Sequence, residues 1–248
     1  MRILIISDIH SNLEALKAIL NDEKYDRILF LGDIVDYGPD SGACIEIVEK
    51  QFDFMITGNH DRALSLGIDC GCSQKFQTLS IASRKHNSRL LNTMQIEFLS
   101  KLPLNLKIKI FGCNFFMAHA SPQGDIYKYI KPDISPESLE EETRGINADF
   151  ILIGHSHLPM IKKIGAKTVI NPGSAGQPRD GNPDASYCIW EDGEITIKRK
   201  KYNIDAVCTK LQKTDMDKKV INALIGVLKT GSYITLEAEI LRDKKKYK

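Results

Sequence analysis

Five short segments of the sequence carry side chains that bind metal ions, and each follows a run of apolar residues. They are Asp8-Ile9-His10, Gly32-Asp33-Ile34-Val35-Asp36, Gly58-Asn59-His60-Asp61, His119 and Gly154-His155-Ser156-His157. Five of the six histidines of the chain lie in them. Mixed imidazole, carboxylate and amide ligation suits manganese, iron, zinc or nickel better than calcium or magnesium, which prefer all-oxygen shells. The segments therefore predict a site for manganese, iron, zinc or nickel.

Such ions suit the hydrolysis of phosphate esters. A phosphate ester resists hydrolysis because its charge repels nucleophiles and because neutral water is a weak attacker. Two ions roughly 3.5–4 Å apart share a hydroxide, lower its pKa and neutralise the phosphoryl oxygens during in-line displacement. This arrangement needs one carboxylate that bridges both ions. The residue types thus fit a dinuclear site of this kind.

The elements that position these residues begin with a strand–helix alternation. Apolar runs at residues 2–7, 27–31 and 54–57 predict strands, and helical patterns at 12–20 and 42–51 follow the first two. This order predicts parallel strands with crossover helices, and Ser11 or Asn12 is expected to cap the first helix. The carboxyl ends of such strands converge on one crevice, where ligands far apart in sequence meet.

The rest of the chain predicts a helical excursion and then a run of strands. Residues 78–102 predict two helices, and residues 205–229 predict two more. Short strands punctuated by Pro, Gly and Asn are expected at 106–111, 115–118, 150–153, 160–164, 168–170, 186–190 and 194–199. The basic run at 242–248 is expected to be a solvated end, with a nucleic-acid or phosphate-steering arm as the alternative.

The composition predicts one globular domain. The 248 residues are 42% hydrophobic and 27% charged, with a net charge of +2. We expect a single domain over 1–248, with the excursion at about 62–102 and a helical extension at about 205–248. The near-neutral charge disfavours nucleic-acid and membrane partners.

The start of the chain and its cysteines predict a cytoplasmic protein. Asp8 and His10 interrupt the apolar start before it reaches the length of a signal peptide or membrane span. Six cysteines without a framework spacing predict reduced thiols. Cys70-Gly71-Cys72 reads as two incidental thiols, with a soft-metal or redox site as the alternative.

The five segments, in order and spacing, resemble the calcineurin-like metallophosphoesterase superfamily over roughly residues 1–202. Asn171-Pro172-Gly173-Ser174, followed by Gln177-Pro178-Arg179, is similar to a small prokaryotic phosphodiesterase branch. The resemblance implies an α/β fold with two packed mixed β-sheets flanked by helices. This four-layer α/β/β/α sandwich holds a dinuclear metal site at the carboxyl ends of its strands.

The resemblance also implies roles for residues at matching positions. The first ion is assigned Asp8, His10 and His157, the second Asn59, His119 and His155, and Asp33 bridges them. His60 would stabilise the transition state or protonate the leaving oxygen, as an imidazole can near neutral pH, and Asp36 would orient it. A turn-capping role is the alternative for Asp36. Manganese is the first choice of metal, with iron, zinc or nickel as alternatives.

Two arginines are candidates for binding substrate. Arg62 follows the Gly58-Asn59-His60-Asp61 segment, and a guanidinium fork suits a phosphate oxygen. Arg179 lies in a loop rich in Gly and Pro, and a surface salt bridge is an equally simple account of it.

The identity of residue 37 favours diester substrates. Gly32-Asp33-Ile34-Val35-Asp36-Tyr37-Gly38-Pro39 is similar to a motif of protein phosphatases and dinucleoside tetraphosphatases, but Tyr37 stands where those enzymes usually carry Arg. An arginine there would clamp a doubly charged terminal phosphate, so its absence favours diesters. We therefore predict a phosphodiesterase that uses a metal-bridging hydroxide and acts on a small phosphate ester, with nucleotide derivatives among the candidates.

Three alternatives stay open at this point. A phosphomonoesterase acting on nucleotides or phosphoproteins is the runner-up. A non-catalytic, metal-bound interaction module is allowed by resemblance to a retromer subunit on this fold, but the presence of His60 argues against it. A nuclease is disfavoured by the near-neutral charge. The sequence leaves the oligomeric state open.

Overall fold

A computed structural model describes residues 1–233 of the chain. The basic run at 242–248 therefore lies outside the described residues, as does the end of the predicted helical extension. In chain order the strands are β1 (Arg2–Ile6), β2 (Arg27–Phe30), β3 (Phe54–Met55), β4 (Asn105–Ile110), β5 (Cys113–Ala118), β6 (Phe150–Leu152), β7 (Met160–Ile164), β8 (Lys167–Asn171), β9 (Ala185–Glu191) and β10 (Glu194–Lys200).

Eight helices connect or flank these strands in the described part of the chain. They are α1 (Leu13–Asp22), α2 (Ser41–Gln51), α3 (Asn59–Leu66), α4 (Gln74–Asn87), α5 (Thr93–Lys101), α6 (Pro136–Glu142), α7 (Ile204–Gln212) and α8 (Lys218–Thr230). The predicted pair at 78–102 corresponds to α4 and α5, but α4 begins earlier because Ser73 is its N-cap. Asn12 caps α1 by accepting a hydrogen bond from the Ala15 amide.

Two five-stranded sheets form the centre of the fold. The first has the order β10-β9-β1-β2-β3, in which β1, β2 and β3 run parallel and β9 runs antiparallel to β1. The second has the order β4-β5-β6-β8-β7, in which β5, β6 and β8 run parallel. Both sheets are therefore mixed, and in each the parallel strands end at one common edge.

Alternating side chains of the strands bury both faces of each sheet, since successive residues of a strand point to opposite sides. One cluster fills the space between the sheets and includes Ile3, Ile5, Leu29, Met117, Leu152 and Trp190. A second cluster packs the outer face of the first sheet against α1, α2 and α5 and includes Leu4, Ile6, Phe30, Leu16, Val48 and Leu99. A third packs the second sheet against α6, through Ile151, Val169 and Leu139.

The layers are thus helix, sheet, sheet and helix, which confirms the predicted α/β/β/α sandwich. A fourth cluster lies beside this sandwich, where α4 packs against α7 and α8 around Phe76, Leu211 and Leu224. This cluster also contains Tyr37, which follows β2. The excursion after β3 is therefore anchored next to the edge where the parallel strands end.

Candidate metal centre

The loops after the parallel strands hold their side chains in a backbone conformation that L-residues rarely adopt. Asp8, Asp33, His155 and His157 have φ values of 54°, 64°, 63° and 58°. Backbone hydrogen bonds impose this geometry, because the amide of Asp8 donates to the Gly32 carbonyl at 3.0 Å. Such strained positions persist only where the surroundings enforce them, and they cluster at functional sites.

Two glycines allow these loops to approach each other. A Cβ on Gly58 would lie 2.0 Å from Asp33 Oδ1, and a Cβ on Gly154 would lie 2.1 Å from Ser7 Oγ. Neither glycine has a positive φ, so close approach, not a left-handed turn, is what requires the missing side chain here. Gly32, in contrast, combines a φ of 96° with close contact to Gly58.

One group of potential ligands consists of Asp8, His10 and His157, which are all buried. The Nδ1 atoms of His10 and His157 lie 2.9 and 2.6 Å from the carbonyls of Val35 and Gln177, to which they donate. Their Nε2 lone pairs therefore face each other at 3.1 Å, with Asp8 Oδ1 3.2 Å from His157 Nε2. Two lone pairs and a carboxylate at such distances fit a cation between them.

A second group consists of Asp33, His119 and His155, which are also buried. His119 Nδ1 lies 2.7 Å from the Leu31 carbonyl, so its Nε2 faces inward, 3.2 Å from Asp33 Oδ2. Asn59 Oδ1 lies 3.1 Å from the same Nε2 and joins this group.

His155 completes this second group through Nδ1, whereas the other three histidines face their groups through Nε2. Its Nε2 lies 3.2 Å from the Tyr127 carbonyl, and its Nδ1 lies 3.0 Å from Asn59 Oδ1. The orientation of that amide is set by its own donor, since Asn59 Nδ2 donates to the Cys70 carbonyl at 2.7 Å. The four histidines thus all donate one nitrogen to a backbone carbonyl and turn the other toward the acidic groups, as metal-ligating histidines do.

Asp33 lies between the two groups. Its Oδ2 is 3.2 Å from His119 Nε2 in one group and 3.7 Å from His10 Nε2 in the other. Asp33 Oδ2 and Asp8 Oδ1 are buried without a hydrogen-bond partner among residues 1–233. Buried carboxylate oxygens are costly unless they are paired or bind a metal. The residues present therefore fit a dinuclear site for divalent ions.

The titration of the histidines matches this arrangement. Burial lowers the pKa of His155 to about 3, and burial together with the neighbouring imidazole of His157 holds the pKa of His10 well below its ordinary value. These rings are neutral, which is the form that binds a metal. Burial also disfavours charge on His119, but the Asp33 carboxylate outweighs it and raises the pKa of His119 to about 9. A bound ion would replace that proton.

His60 lies beside this centre, outside both groups. Its Nδ1 donates to Asp36 Oδ2 at 2.7 Å, and its backbone amide donates to Asp33 Oδ1 at 2.9 Å. Burial disfavours its charged form, but Asp33 and the hydrogen bond to Asp36 outweigh burial and raise the pKa of His60. The Asp36 carboxylate therefore contacts His60 through Oδ2, and its Oδ1 has no hydrogen-bond partner among residues 1–233.

Arg84 is a neighbour of this pair that the sequence analysis did not identify. Its Nε and Nη2 donate to Asp36 Oδ2 at 3.0 and 2.7 Å, and Nη2 also donates to Ser80 Oγ at 2.7 Å. One carboxylate oxygen thus holds both the arginine and the imidazole. The local sequence does not predict this contact, because 48 residues separate Arg84 from Asp36.

Asp61 was also overlooked, although it follows His60 directly. Its carboxylate accepts hydrogen bonds from the backbone amides of Gly58, Asp33 and Ile34 at 3.0, 2.8 and 2.8 Å. It therefore ties the start of α3 to the loop that carries Asp33. The available signal was its position in the first turn of a helix, where a carboxylate can reach back to the cap amide.

The two candidate substrate arginines occupy different surroundings. The Arg179 guanidinium lies over the rings of Phe76 and Tyr37, 3.7 and 5.8 Å from their centroids, and donates to Gln177 Oε1. Arg179 makes no surface salt bridge within residues 1–233, so that alternative reading is not supported. Arg62 is half-buried on α3, and its side chain makes no hydrogen bond to the described residues.

Comparison with known proteins places this geometry in a family. The calcineurin-like phosphoesterase superfamily domain matches residues 1–192. An uncharacterised protein of Methanocaldococcus jannaschii is 35% identical over 232 residues, covering 85% of this chain and 92% of that protein. Serine/threonine-protein phosphatase 1 of Salmonella typhimurium is 26% identical over 62% of this chain and 78% of its own.

Solved structures share the fold. A metallophosphoesterase from Sphaerobacter thermophilus matches with a TM-score of 0.77 and 29% identity, covering 93% of this chain and 99% of that one. A protein of Pyrococcus horikoshii matches with a TM-score of 0.78 and 19% identity, covering 94% and 99% of the two chains. Among the helices of residues 1–233, none has the length and apolar character needed to cross a membrane.

Proposed function

This chain belongs to the calcineurin-like phosphoesterase superfamily, and on that premise we propose that it hydrolyses phosphodiesters with the help of two divalent metal ions. The observation that carries the proposal is the position of Asp33 between two buried ligand groups, each of which turns imidazole lone pairs toward a carboxylate. Bound there, the two ions would supply an activated water and neutralise the phosphoryl oxygens.

The ligand assignment follows the two groups. Asp8, His10 and His157 would hold one ion, and Asn59, His119 and His155 would hold the other, with Asp33 between them. Manganese is our first choice because mixed nitrogen and oxygen ligation suits it, and iron, zinc and nickel share that preference.

The remaining polar residues would act on the substrate. His60 holds a proton at a site next to Asp33, and Asp36 fixes the ring through Nδ1, so Nε2 is the atom that would protonate the leaving oxygen. Arg84 would hold Asp36 in place. We propose Arg179 and Arg62 as phosphate contacts, and the stacked position of Arg179 beside the Gln177 loop supports it more directly.

Diester preference is supported by Tyr37. Its ring packs edge-on against His10, with centroids 4.7 Å apart, and its hydroxyl lies 3.4 Å from His60 Nε2. A neutral phenol at this position neutralises none of the second negative charge of a phosphomonoester. The runner-up is a phosphomonoesterase, which the similarity to a serine/threonine-protein phosphatase favours. A non-catalytic metal-bound module is a weaker candidate because His60, Asp36 and Arg84 form a connected proton-donor group.

The experiment that tests the proposal combines metal analysis with a substrate screen. Purified protein would be analysed for bound metals, stripped with a chelator and reloaded with manganese, nickel or magnesium. Aromatic mono- and diesters would then be compared under each metal. We expect two ions per chain, manganese-dependent hydrolysis and higher kcat/KM on the diester. Higher kcat/KM on the monoester would support the runner-up, and two bound ions without hydrolysis of either ester would support the non-catalytic module.

A further inference from the structure

A cavity of about 240 Å³ opens on the surface beside the candidate metal centre. Its lining includes Lys75, Phe76, Tyr129, Lys131, Ser156 and Arg179. These residues come from α4, from the loop that follows β5 and from the two loops that carry or approach the metal ligands. The wall of this cavity therefore connects the helical excursion with the candidate metal centre.

Two lining residues place the cavity directly against the second ligand group. Ser156 lies between the ligands His155 and His157 in the chain. The ring of Tyr129 packs on the ring of His155, with centroids 4.1 Å apart. A molecule in the cavity is therefore a neighbour of the second ligand group.

The opposite wall reaches the first ligand group. Arg179 Nη2 donates to Gln177 Oε1 at 2.8 Å, and the Gln177 carbonyl accepts from His157 Nδ1 at 2.6 Å. The positive charge of Arg179 contributes to the lowered pKa of His157 after burial. The cavity thus extends alongside both groups, where the arm of a bound ester would leave the centre.

The cavity has an excess of positive charge. Three of its lining residues, Lys75, Lys131 and Arg179, are cations, and none is a carboxylate. None of these three forms an ion pair within residues 1–233. Arg179 Nε is buried without a hydrogen-bond partner in the same range. Buried donors of this kind are normally paired, so an anionic ligand is the natural partner.

A helix end adds to this field. Ser73, the N-cap of the 14-residue helix α4, also lines the cavity, and its side chain makes no capping hydrogen bond. The free amides at a helix start favour negative charge. Ser73 therefore offers a further donor to the same anion.

The cavity also offers flat surfaces. The Arg179 guanidinium lies 3.7 Å from the centroid of Phe76, so one planar group already covers that ring. Guanidinium planes and tyrosine rings are surfaces on which nucleobases stack. Arg179 and Tyr129 can therefore hold a planar ring system between the metal centre and the lysines.

We propose that this cavity binds the nucleotide arm of a phosphodiester that carries a second phosphate group. The inference rests on the proposed phosphodiesterase function and specifies its substrate class. The diester that is cleaved carries one negative charge, which the two ions and Arg179 would neutralise, so Lys75 and Lys131 are in excess for a simple diester. A second phosphate uses them, and the base stacks on the planar groups.

The volume agrees with an arm of this size. Sites for drug-sized ligands measure roughly 300–1,000 Å³, and a cavity of about 240 Å³ lies just below that range, as expected for one arm of a ligand.

The test uses two probes that differ by one phosphate. They are the linear dinucleotide diadenylate with a 5′-phosphate and the same dinucleotide without it. We expect kcat/KM of the manganese-loaded protein to be at least about 10-fold higher for the phosphorylated probe, which corresponds to one good charge-assisted contact. For a phosphorylated analogue without bases, kcat/KM should be lower than for the phosphorylated dinucleotide by a factor of about 5.

The matched variants are Lys75→Met with Lys131→Met, and Lys24→Met with Lys50→Met as the control. Lys24 and Lys50 are exposed and precede β2 and β3, at the sheet edge opposite to the site. The first double variant should reduce the preference for the 5′-phosphate to less than about 2-fold, and the control should keep it.

Binding of both dinucleotides to metal-free protein, followed by calorimetry, provides a second readout that does not depend on hydrolysis. If the protein cleaves bis(p-nitrophenyl) phosphate but has equal kcat/KM for the two dinucleotides, the cavity assignment is wrong and the phosphodiesterase proposal stands. If no diester is cleaved, the proposed function fails, and tighter binding of the phosphorylated probe, lost in Lys75→Met with Lys131→Met, would still support the cavity assignment. Equal affinities would overturn it.

Discussion

The ligand loops at the strand ends and the wall of the neighbouring cavity are built in opposite ways. Asp8, Asp33 and His119 are almost fully buried, and a backbone carbonyl holds each of the four histidine rings of the ligand groups in place. The cavity wall, in contrast, presents the exposed lysines Lys75 and Lys131 from a helix and a loop. Buried groups with several partners keep one geometry, whereas exposed side chains adapt to a ligand.

Under the two proposals above, this difference separates the chemistry from the choice of substrate. Residues of the ligand loops should then affect the hydrolysis of every ester, because each substrate would meet the same ions and the same proton donor. Residues of the wall should affect only substrates that carry the recognised arm. A ligand-loop variant whose loss of activity differs from one ester to another would therefore contradict the comparison.

The largest effect is expected for Asp33→Asn. The amide keeps the shape and can still accept the hydrogen bond from the His60 amide, but it removes the charge that both ligand groups share. We expect loss of activity on all esters and loss of bound metal, measured by kinetics and by elemental analysis. Asp205→Asn, at a carboxylate with 87% side-chain exposure, is the control and should change neither. Full metal content in Asp33→Asn would show that Asp33 does not bridge the ions.

The next effect in size is expected for His60→Ala. Loss of a positioned acid lowers the rate by a factor on the order of 10²–10⁴, and metal content should stay unchanged because His60 belongs to neither ligand group. Burial disfavours the charged form of His60, but Asp33 and Asp36 outweigh burial and raise its pKa. The acid form is present below that pKa. Activity of the unmodified protein should therefore fall as the pH rises through it, and this decline should vanish in the variant.

The control for this variant is His86→Ala. His86 lies on α4 and pairs with the exposed Asp215, away from the ligands. It should leave both the rate and the pH profile unchanged. Equal metal loss in His60→Ala and Asp33→Asn would contradict the separate roles of these two residues.

An intermediate effect is expected for Arg84→Gln. Loss of a residue that orients a catalytic side chain costs roughly 10–100-fold in activity. Because Arg84 acts through Asp36 and His60, kcat should fall while KM stays nearly constant, and Arg84→Lys should recover part of the rate. Arg89→Gln serves as the control, because Arg89 is exposed and pairs with Asp215. A rise in KM with constant kcat would instead make Arg84 a substrate contact.

The smallest effect is expected for Tyr37→Phe. The hydroxyl lies 3.4 Å from His60 Nε2, a long contact, and the ring that packs on His10 is retained. A single hydrogen bond contributes about 0.5–1.5 kcal/mol, so kcat should fall by roughly 2- to 10-fold. Similar losses on mono- and diesters would place Tyr37 with the ligand loops. A change in the ratio of the two activities would assign it to substrate choice.

The sequence predicted most strands and helices and their order well, because short-range signals carried them, whereas the four-layer sandwich was implied by the resemblance to the superfamily. The apolar runs that became β1 and β2 and the cap at Asn12 depend on neighbouring residues alone. The start of α4 was predicted too late because the residues after Ser73 are mostly polar, and only packing of Phe76 and Leu79 on α8 makes them helical. Helices held by tertiary contacts give weak local signals.

By itself, the sequence determined which side chains could bind metal and in what order they occur, since each lies in a short segment with its own turn. Only the tertiary structure decided that Arg84 reaches Asp36, that Asp61 ties two loops together, and that lysines of α4 and of the loop after β5 share one cavity with Arg179. These contacts join residues far apart in the chain, and their geometry depends on how whole elements pack.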